Sequence, residues 1–262
     1  PSMRSNPPTQ PFELIQADAS GPLPPTIGGN TSFQLIIDRA SRYIHLDLAK
    51  SKAIYPDKIQ AFVHHIENQF RHKVKAIRTD GASEYNSARY CKFLEDHHIK
   101  KESSAPYQQQ QNGLVERNMS TIKNMIACML FQSGMSTGYW GEAALYAAEI
   151  RKIIPPDGSN ITPFEMVHKT KPKLKRYHPF GCAAYALLPP PKQKAFAPKA
   201  AKCVFLGFAT GYEAFRLLRL CDKKVIIMNE VTFNDEYFPF KSGKEKDPQA
   251  IPIEFQLSTK NH

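Results

Sequence analysis

Residues 12–18 (Phe-Glu-Leu-Ile-Gln-Ala-Asp) form a short apolar-rich run that predicts a strand, stopped by Gly21-Pro22-Leu23-Pro24-Pro25. Two more β runs follow at 33–38 and 43–49. In the second, Ile44, Leu46 and Leu48 alternate with Tyr43, His45, Asp47 and Ala49. Only residues 39–42 separate the two runs, so they predict a hairpin. The period then changes. Pro56 and Asp57 mark a helix start, and Ile59, Phe62, Val63, Ile66 and Phe70 recur at three- and four-residue spacing. Residues 74–79 return to strand and end at Asp80-Gly81. A helix is predicted at about 88–97, a short strand near 99–101, and a polar loop with four consecutive glutamines over 103–112. A long helix from about 113 to 132 and another around 139–152 complete this half.

Three strands that can pair antiparallel, followed by alternating β and α, predict an α/β fold: a mixed sheet with helices packed on its faces. Pro155-Pro156-Asp157-Gly158 predicts a boundary. Beyond it, β runs at 182–188, 203–208, 214–220 and 224–233 predict a small β-barrel-like domain. The expected organisation is an extended lead-in at 1–11, a core at 12–155, a helical and basic linker at 156–180, a small β-rich domain at 181–240 and a disordered tail at 241–262.

Composition agrees with a folded chain. Hydrophobic residues make up 42% of the 262, near the globular norm of roughly 45–50%, so a core can form and wholesale disorder is excluded. The longest apolar runs, 143–148 and 225–228, fall far short of the ~20 residues of a membrane span, and no membrane partner is expected. No charged–apolar–small signal opens the chain, which predicts a soluble intracellular protein, and Pro1 in place of Met reads as a piece of a longer polypeptide. The five cysteines lie far apart with no C-x-x-C, which excludes a disulfide framework and a cysteine zinc site.

Charge narrows the function. Thirty-five Lys and Arg against 24 Asp and Glu give +11, a field that favours nucleic acid. The excess is concentrated at 169–202, where nine basic residues, among them Lys171, Lys173, Lys175 and Arg176, stand without an acidic one. This stretch is expected to lie extended on the surface and to track a phosphate backbone.

Three carboxylates stand where the backbone changes type: Asp18 ending the first predicted strand, Asp80 ending the fourth, and Glu116 in the first turn of the long helix. Strand ends of α/β sheets are where sites are built. Hard oxygen ligands of this kind can converge on two Mg²⁺ about 3.5–4 Å apart, an arrangement suited to phosphoryl transfer.

The context of these residues carries a resemblance. The stretch Ala105-Pro106-Tyr107-Gln108-Gln109-Gln110-Gln111-Asn112-Gly113-Leu114-Val115-Glu116-Arg117-Asn118 resembles the region around the catalytic glutamate of DDE integrases, and within them the copia-type retrotransposons. Arg78-Thr79-Asp80 and Ser83-Glu84-Tyr85 resemble the flank of the second aspartate. Trp140-Gly141-Glu142-Ala143 and Thr162-Pro163-Phe164-Glu165 look like the downstream helices. His178-Pro179-Phe180-Gly181-Cys182-Ala183-Ala184-Tyr185 and Cys203-Val204-Phe205-Leu206-Gly207-Phe208 resemble the small β domain that follows. The similarity runs in order through about residues 10–240.

The resemblance implies a ribonuclease-H-like core that inserts element DNA into target DNA by two-metal phosphoryl transfer, through 3′-end processing and strand transfer. Asp18, Asp80 and Glu116 would hold two Mg²⁺ or Mn²⁺. Asn112 and Lys123 would contact DNA; Lys123 lies two helical turns past Glu116 on the same face. The implied partners are double-stranded DNA, both element ends and target, and further copies of the chain on that DNA. The implied location is the nucleus, or a cytoplasmic particle before nuclear entry. Two departures stand out: Gly81-Ala82 follow Asp80 where the family has Asn-Gly, and Gln108-Gln109 follow Pro-Tyr. The family's zinc module would lie upstream of Pro1, so no zinc is expected here, and His64-His65 and His97-His98 read as surface helix histidines. The alternative reading is a domesticated or decayed copy that binds nucleic acid without cutting it. A ribonuclease of the same fold is disfavoured, because the similarity continues through the tail domain.

Overall fold

The computed structural model describes residues 10–80, 82–103, 109–187, 199–209 and 213–241. The chain divides into two compact units, Pro1–Ile126 with Gly141–Tyr177, and Ala127–Trp140 with His178–His262.

The first unit is built on a five-stranded sheet of β1 (Leu14–Ser20), β2 (Ser32–Asp38), β3 (Ile44–Ala49), β4 (Ala76–Thr79) and β5 (Lys100–Ser103), in the order β3-β2-β1-β4-β5. β1, β2 and β3 pair antiparallel, whereas β4 pairs parallel with both β1 and β5. This is the mixed sheet of the expected ribonuclease-H-like class. The turn of the β2–β3 hairpin is fastened by Asp38, whose carboxylate accepts from the Ser41 backbone N–H at 2.7 Å and the Ser41 hydroxyl at 2.5 Å.

Helices α1 (Tyr55–His65) and α2 (Ala88–Asp96) cover one face of this sheet. Ile15, Ala17, Ile36 and Ile77 pack there with Tyr55, Ile59, Phe62 and Val63 of α1 and Tyr90, Phe93 and Leu94 of α2. Each large apolar side chain so buried contributes about 1.5–3 kcal/mol. The apolar stripe expected to continue helically through Phe70 does so only as a π-turn, Ile66–Phe70. The chain goes on through α3 (Gln109–Ser133), α4 (Trp140–Ile153) and α5 (Pro163–His168).

The second unit carries β6 (Ala183–Leu187), β7 (Ala200–Phe208), β8 (Phe215–Arg219), β9 (Val225–Met228) and β10 (Val231–Asn234). They form one antiparallel sheet in the order β10-β6-β7-β8-β9. The single run expected at 224–233 is thus two strands, and Val231 pairs with Ala186 on the other edge of the sheet. Aromatic rings fill its interior: Phe233 lies 4.9 Å from Phe215 and 5.4 Å from Phe205, and His178 stacks on Phe233 at 3.8 Å. His178 Nδ1 also meets Asp235 at 2.9 Å.

The basic stretch does not lie extended throughout. Phe180, Cys182, Ala183, Ala184 and Ala186 are buried in this unit, and Lys202 lies within β7. The reason is that its lysines cluster at its two ends and leave an apolar centre free to pack. All five cysteines are free thiols, and no helix among the described residues is long and apolar enough to cross a membrane. The tail 242–262 lies outside the described residues.

Gly181 shows how tightly the second unit is closed. Its φ is +79°, and a Cβ there would stand 2.2 Å from the Ser133 Cβ, at the end of α3. Gly181→Ala is therefore expected to destabilise this unit by about 2–4 kcal/mol, through backbone strain and overpacking together. Urea unfolding followed at the Phe-rich sheet would check this, and a loss below about 0.5 kcal/mol would show that the contact is slack.

Candidate active site

The site begins with a strand register. β1 and β4 are parallel neighbours with Ala17 opposite Thr79, so the next residues, Asp18 and Asp80, come side by side. In-register residues on parallel strands project to the same face of the sheet. Asp18 was expected to end its strand, but β1 runs on to Ser20. Its other neighbour, β2, keeps pairing as far as Ser20 with Phe33. The aspartate is instead where the ladder with β4 ends, which leaves its carboxylate half-exposed beside the exposed Asp80.

One step back along the same face lie Gln16, Arg78 and Glu102, opposite one another on β1, β4 and β5. Arg78 donates to Glu102 Oε2 from Nε at 3.2 Å and from Nη2 at 2.6 Å. This half-buried ion pair lies on the same face one step below the aspartates. The chain after Asp80 is fixed separately. Tyr85 is buried and its hydroxyl accepts from Gln34 Nε2 at 2.7 Å, while Lys101 Nζ donates to the Tyr85 carbonyl at 2.7 Å and to Asn86 Oδ1 at 2.6 Å.

Helix α3 brings the third carboxylate. It starts at Gln109, four residues before the expected start, so Glu116 lies in its second turn and part of the expected glutamine loop is helix. The glutamines carry good helix propensity and need no special backbone, which lets the helix extend backwards. Val115, Met119, Ile122 and Ile126 form its buried stripe, and Glu116 and Lys123 stand exposed on an adjacent one. Asn118 ties α3 to α4, accepting from Arg151 Nη2 at 3.4 Å. The side chain of Asn112 lies outside the described residues.

Electrostatics join the three acids. Burial pushes the Asp18 carboxyl above its ordinary range; the Ala19 backbone N–H, donating at 2.8 Å, opposes this, and the charges of Asp80 and Glu116 raise it further. Asp80 is raised as well, chiefly by partial desolvation, with Glu84 adding to the rise and the Ala82 N–H opposing it. Lys52, in the short turn after β3, pulls both aspartates back down. Among the described residues the three carboxylates do not converge to within 4.8 Å of one another. They are a trio in electrostatic reach rather than a closed ligand cluster.

Sequence reasoning missed Lys52. It reads as a solvated lysine in Lys50-Ser51-Lys52, and only the sheet order carries it beside residues from β1 and β4. The other basic candidates are placed apart from the acids in the chain: Lys171, Lys173 and Lys175 are exposed around the short turn Leu174–Arg176, and Arg176 is half-buried.

The chain is similar to known proteins. The chain is 29% identical over 86% of its length to the retrovirus-related Pol polyprotein from transposon TNT 1-94 of Nicotiana tabacum. It is 27% identical over 89% of its length to that of transposon RE1 of Arabidopsis thaliana. Residues 182–246 match the retroviral polymerase SH3-like domain. A chain of the simian T-cell lymphotropic virus intasome, in a complex with the PP2A regulatory subunit B56 gamma, shares the fold. Its TM-score is 0.51 at 16% identity, covering 85% of this chain and 78% of that one. The homologues are thus retrotransposon Pol polyproteins. The chain spans 17% and 16% of the length of the two plant relatives.

The raised Asp18 has a consequence for stability. Its folded carboxyl holds its proton to higher pH than the unfolded one, so the stability it contributes is present below the unfolded value near 4 and lost as pH rises through the folded value. Asp18→Asn removes the ionised group and is expected to melt above the wild type at pH 7 without divalent cations. The gain should vanish below about pH 4. A variant melting at or below wild type at pH 7 would show that Asp18 is not under electrostatic strain.

Proposed function

We propose that the chain is the DNA-joining segment of a retrotransposon Pol polyprotein, an integrase catalytic core followed by its SH3-like domain. It would process the 3′ ends of element DNA and transfer them to target DNA. The observation that carries this reading is that Asp80, on the parallel neighbour of the Asp18 strand, and Glu116, on a helix, lie within electrostatic reach of Asp18 in a chain homologous to Pol polyproteins over most of its length.

The donor set suits Mg²⁺ or Mn²⁺. All three groups are hard carboxylate oxygens, with no thiol or imidazole among them, and the strain on Asp18 and Asp80 is of the kind that a cation relieves. Asp18, Asp80 and Glu116 would hold two such ions, whose chemistry is to polarise a phosphodiester and to stabilise charge on the attacking and leaving oxygens. Ligands shared between two ions span a wider space than those of one ion, in keeping with the open spacing of the trio. Lys52 would limit the repulsion between the aspartates. Lys123, two turns along α3, would bind a phosphate beside them, as Asn112 would one turn before Glu116. Further copies of the chain on the DNA, and action in the nucleus, belong to the same reading.

A second reading, a copy that binds nucleic acid without cutting it, rests on Gly81-Ala82 standing where the resembled family has Asn-Gly. Nicking of supercoiled plasmid with Mn²⁺ separates the two. The wild type is expected to nick, and Asp80→Asn to lower the rate by roughly 100-fold or more, a barrier increase of ~2.7 kcal/mol, with its fold intact. Near-wild-type turnover by Asp80→Asn would overturn the site. A wild type that binds DNA but never nicks would favour the second reading.

The exposed lysines have their own signature. Replacing Lys171, Lys173 and Lys175 by Gln is expected to weaken duplex binding about equally for all sequences. It should flatten the slope of log K against log salt by up to about 2.7, at roughly 0.9 per phosphate contact. A salt titration that returns the wild-type slope would leave these residues as solubilising charge only.

A further inference from the structure

We propose that His64, Glu67 and His97 form a second divalent-cation site, of the zinc type, that clips the ends of α1 and α2 together. Among the described residues this is the one group of three metal-capable side chains whose ligand atoms all lie within 4.8 Å of one another. His64 Nδ1 stands 4.0 Å from Glu67 Oε2, and His97 Nδ1 stands 3.9 Å from the same oxygen. The three come from different elements: the last turn of α1, the π-turn that follows it, and the residue that caps α2.

Two further features favour a cation at this point. Both imidazoles are oriented by one aromatic ring, with Phe93 at 5.6 Å from His64 and 4.4 Å from His97. A ligand whose ring is already held loses less freedom on binding, as metal-site histidines generally do when a neighbour fixes them. α2 also ends at His97, and a helix C-terminus carries partial negative charge that favours cations.

The donor set decides which ion. Two imidazole nitrogens and one carboxylate oxygen suit Zn²⁺ and its neighbours, not Mg²⁺, which prefers oxygen alone. Tetrahedral Zn²⁺ with bonds of about 2.0–2.1 Å needs ligand atoms roughly 3.3 Å apart, so the two nitrogen–oxygen separations of 4.0 and 3.9 Å must close somewhat and the two imidazole nitrogens, within 4.8 Å of each other, must come to a similar distance. Half the His64 side chain and just under a third of Glu67 and of His97 are exposed, which leaves room for that rotation. Three protein ligands leave a fourth position for water, the pattern of an open site. None of the three belongs to the acidic trio, and none was assigned a metal by sequence, where His64 and His97 read as surface histidines on separate helices.

The test uses Co²⁺ as a spectroscopic stand-in for Zn²⁺, titrated into the full chain with Mg²⁺ in large excess to occupy the acidic site. The expected result is one Co²⁺ per chain with the intense visible bands of four-coordination, no near-ultraviolet thiolate band, and loss of the signal on adding Zn²⁺. The double variant His64→Asn, His97→Asn should bind at least ~10-fold more weakly, and Zn²⁺ should raise the melting temperature of wild type and of Asp80→Asn but not of the double variant. Glu67→Gln, which keeps both imidazoles on their Phe93 platform, should weaken binding as well. The proposal is overturned if a thiolate band appears, if neither variant changes the affinity, or if wild type binds no more tightly than about 1 mM.

Discussion

Parallel pairing of β1 with β4, in the register that sets Ala17 opposite Thr79, is the constraint on which the acidic site depends. Side chains on a strand alternate between faces, so a slip of one residue would send Asp80 into the core with α1 and α2 and leave Thr79 beside Asp18. The register is held from both sides. Ile15 and Ile77, opposite each other, are buried against the helices, and Arg78 is paired with Glu102 on the other face. A slip would bury a charge and expose an isoleucine at once.

This arrangement places two like charges side by side where the β1–β4 ladder ends and partly desolvates them. The cost is visible in the upward pull on Asp18 and Asp80, and it is met elsewhere, chiefly by the aromatic and aliphatic core on the opposite face. Lys52 offsets part of it locally. The described part of the segment after Asp80 carries no regular strand, yet Gln34 on β2 and Lys101 on β5 anchor it through Tyr85 and Asn86.

The second unit solves a different problem. Its small sheet has few residues to bury, and it concentrates Phe205, Phe215 and Phe233 around His178, which is itself tied to Asp235. The His-Pro-Phe-Gly-Cys run near its start is explained by packing: His178 caps the aromatic cluster, Gly181 allows close approach to Ser133, and Cys182 is buried. These are structural duties rather than chemistry.

The sequence by itself determined most of the elements, because apolar spacing records which face of a strand or helix is buried. The hairpin of β2 and β3, helices α1 and α2, and the alternation that makes the sheet mixed were legible in that pattern. The three acids were picked out by their expected places at element ends and by the ordered resemblance around Glu116, but Asp18 lies within β1 and Glu116 in the second turn of α3. Element ends were less legible. Whether β1 stops at Asp18 or Ser20 depends on how long β2 continues to pair with it, and a run of polar glutamines carries no apolar period to fix whether α3 starts at residue 109 or 113. The split of residues 224–233 into two strands likewise follows from pairing with β6, a partner some forty residues away. Lys52 beside the aspartates, Arg78 paired with Glu102, and His64 with His97 around Glu67 were decided by tertiary structure alone. Each joins residues that no local period relates, and the sheet order and helix packing that bring them together are properties of the whole chain.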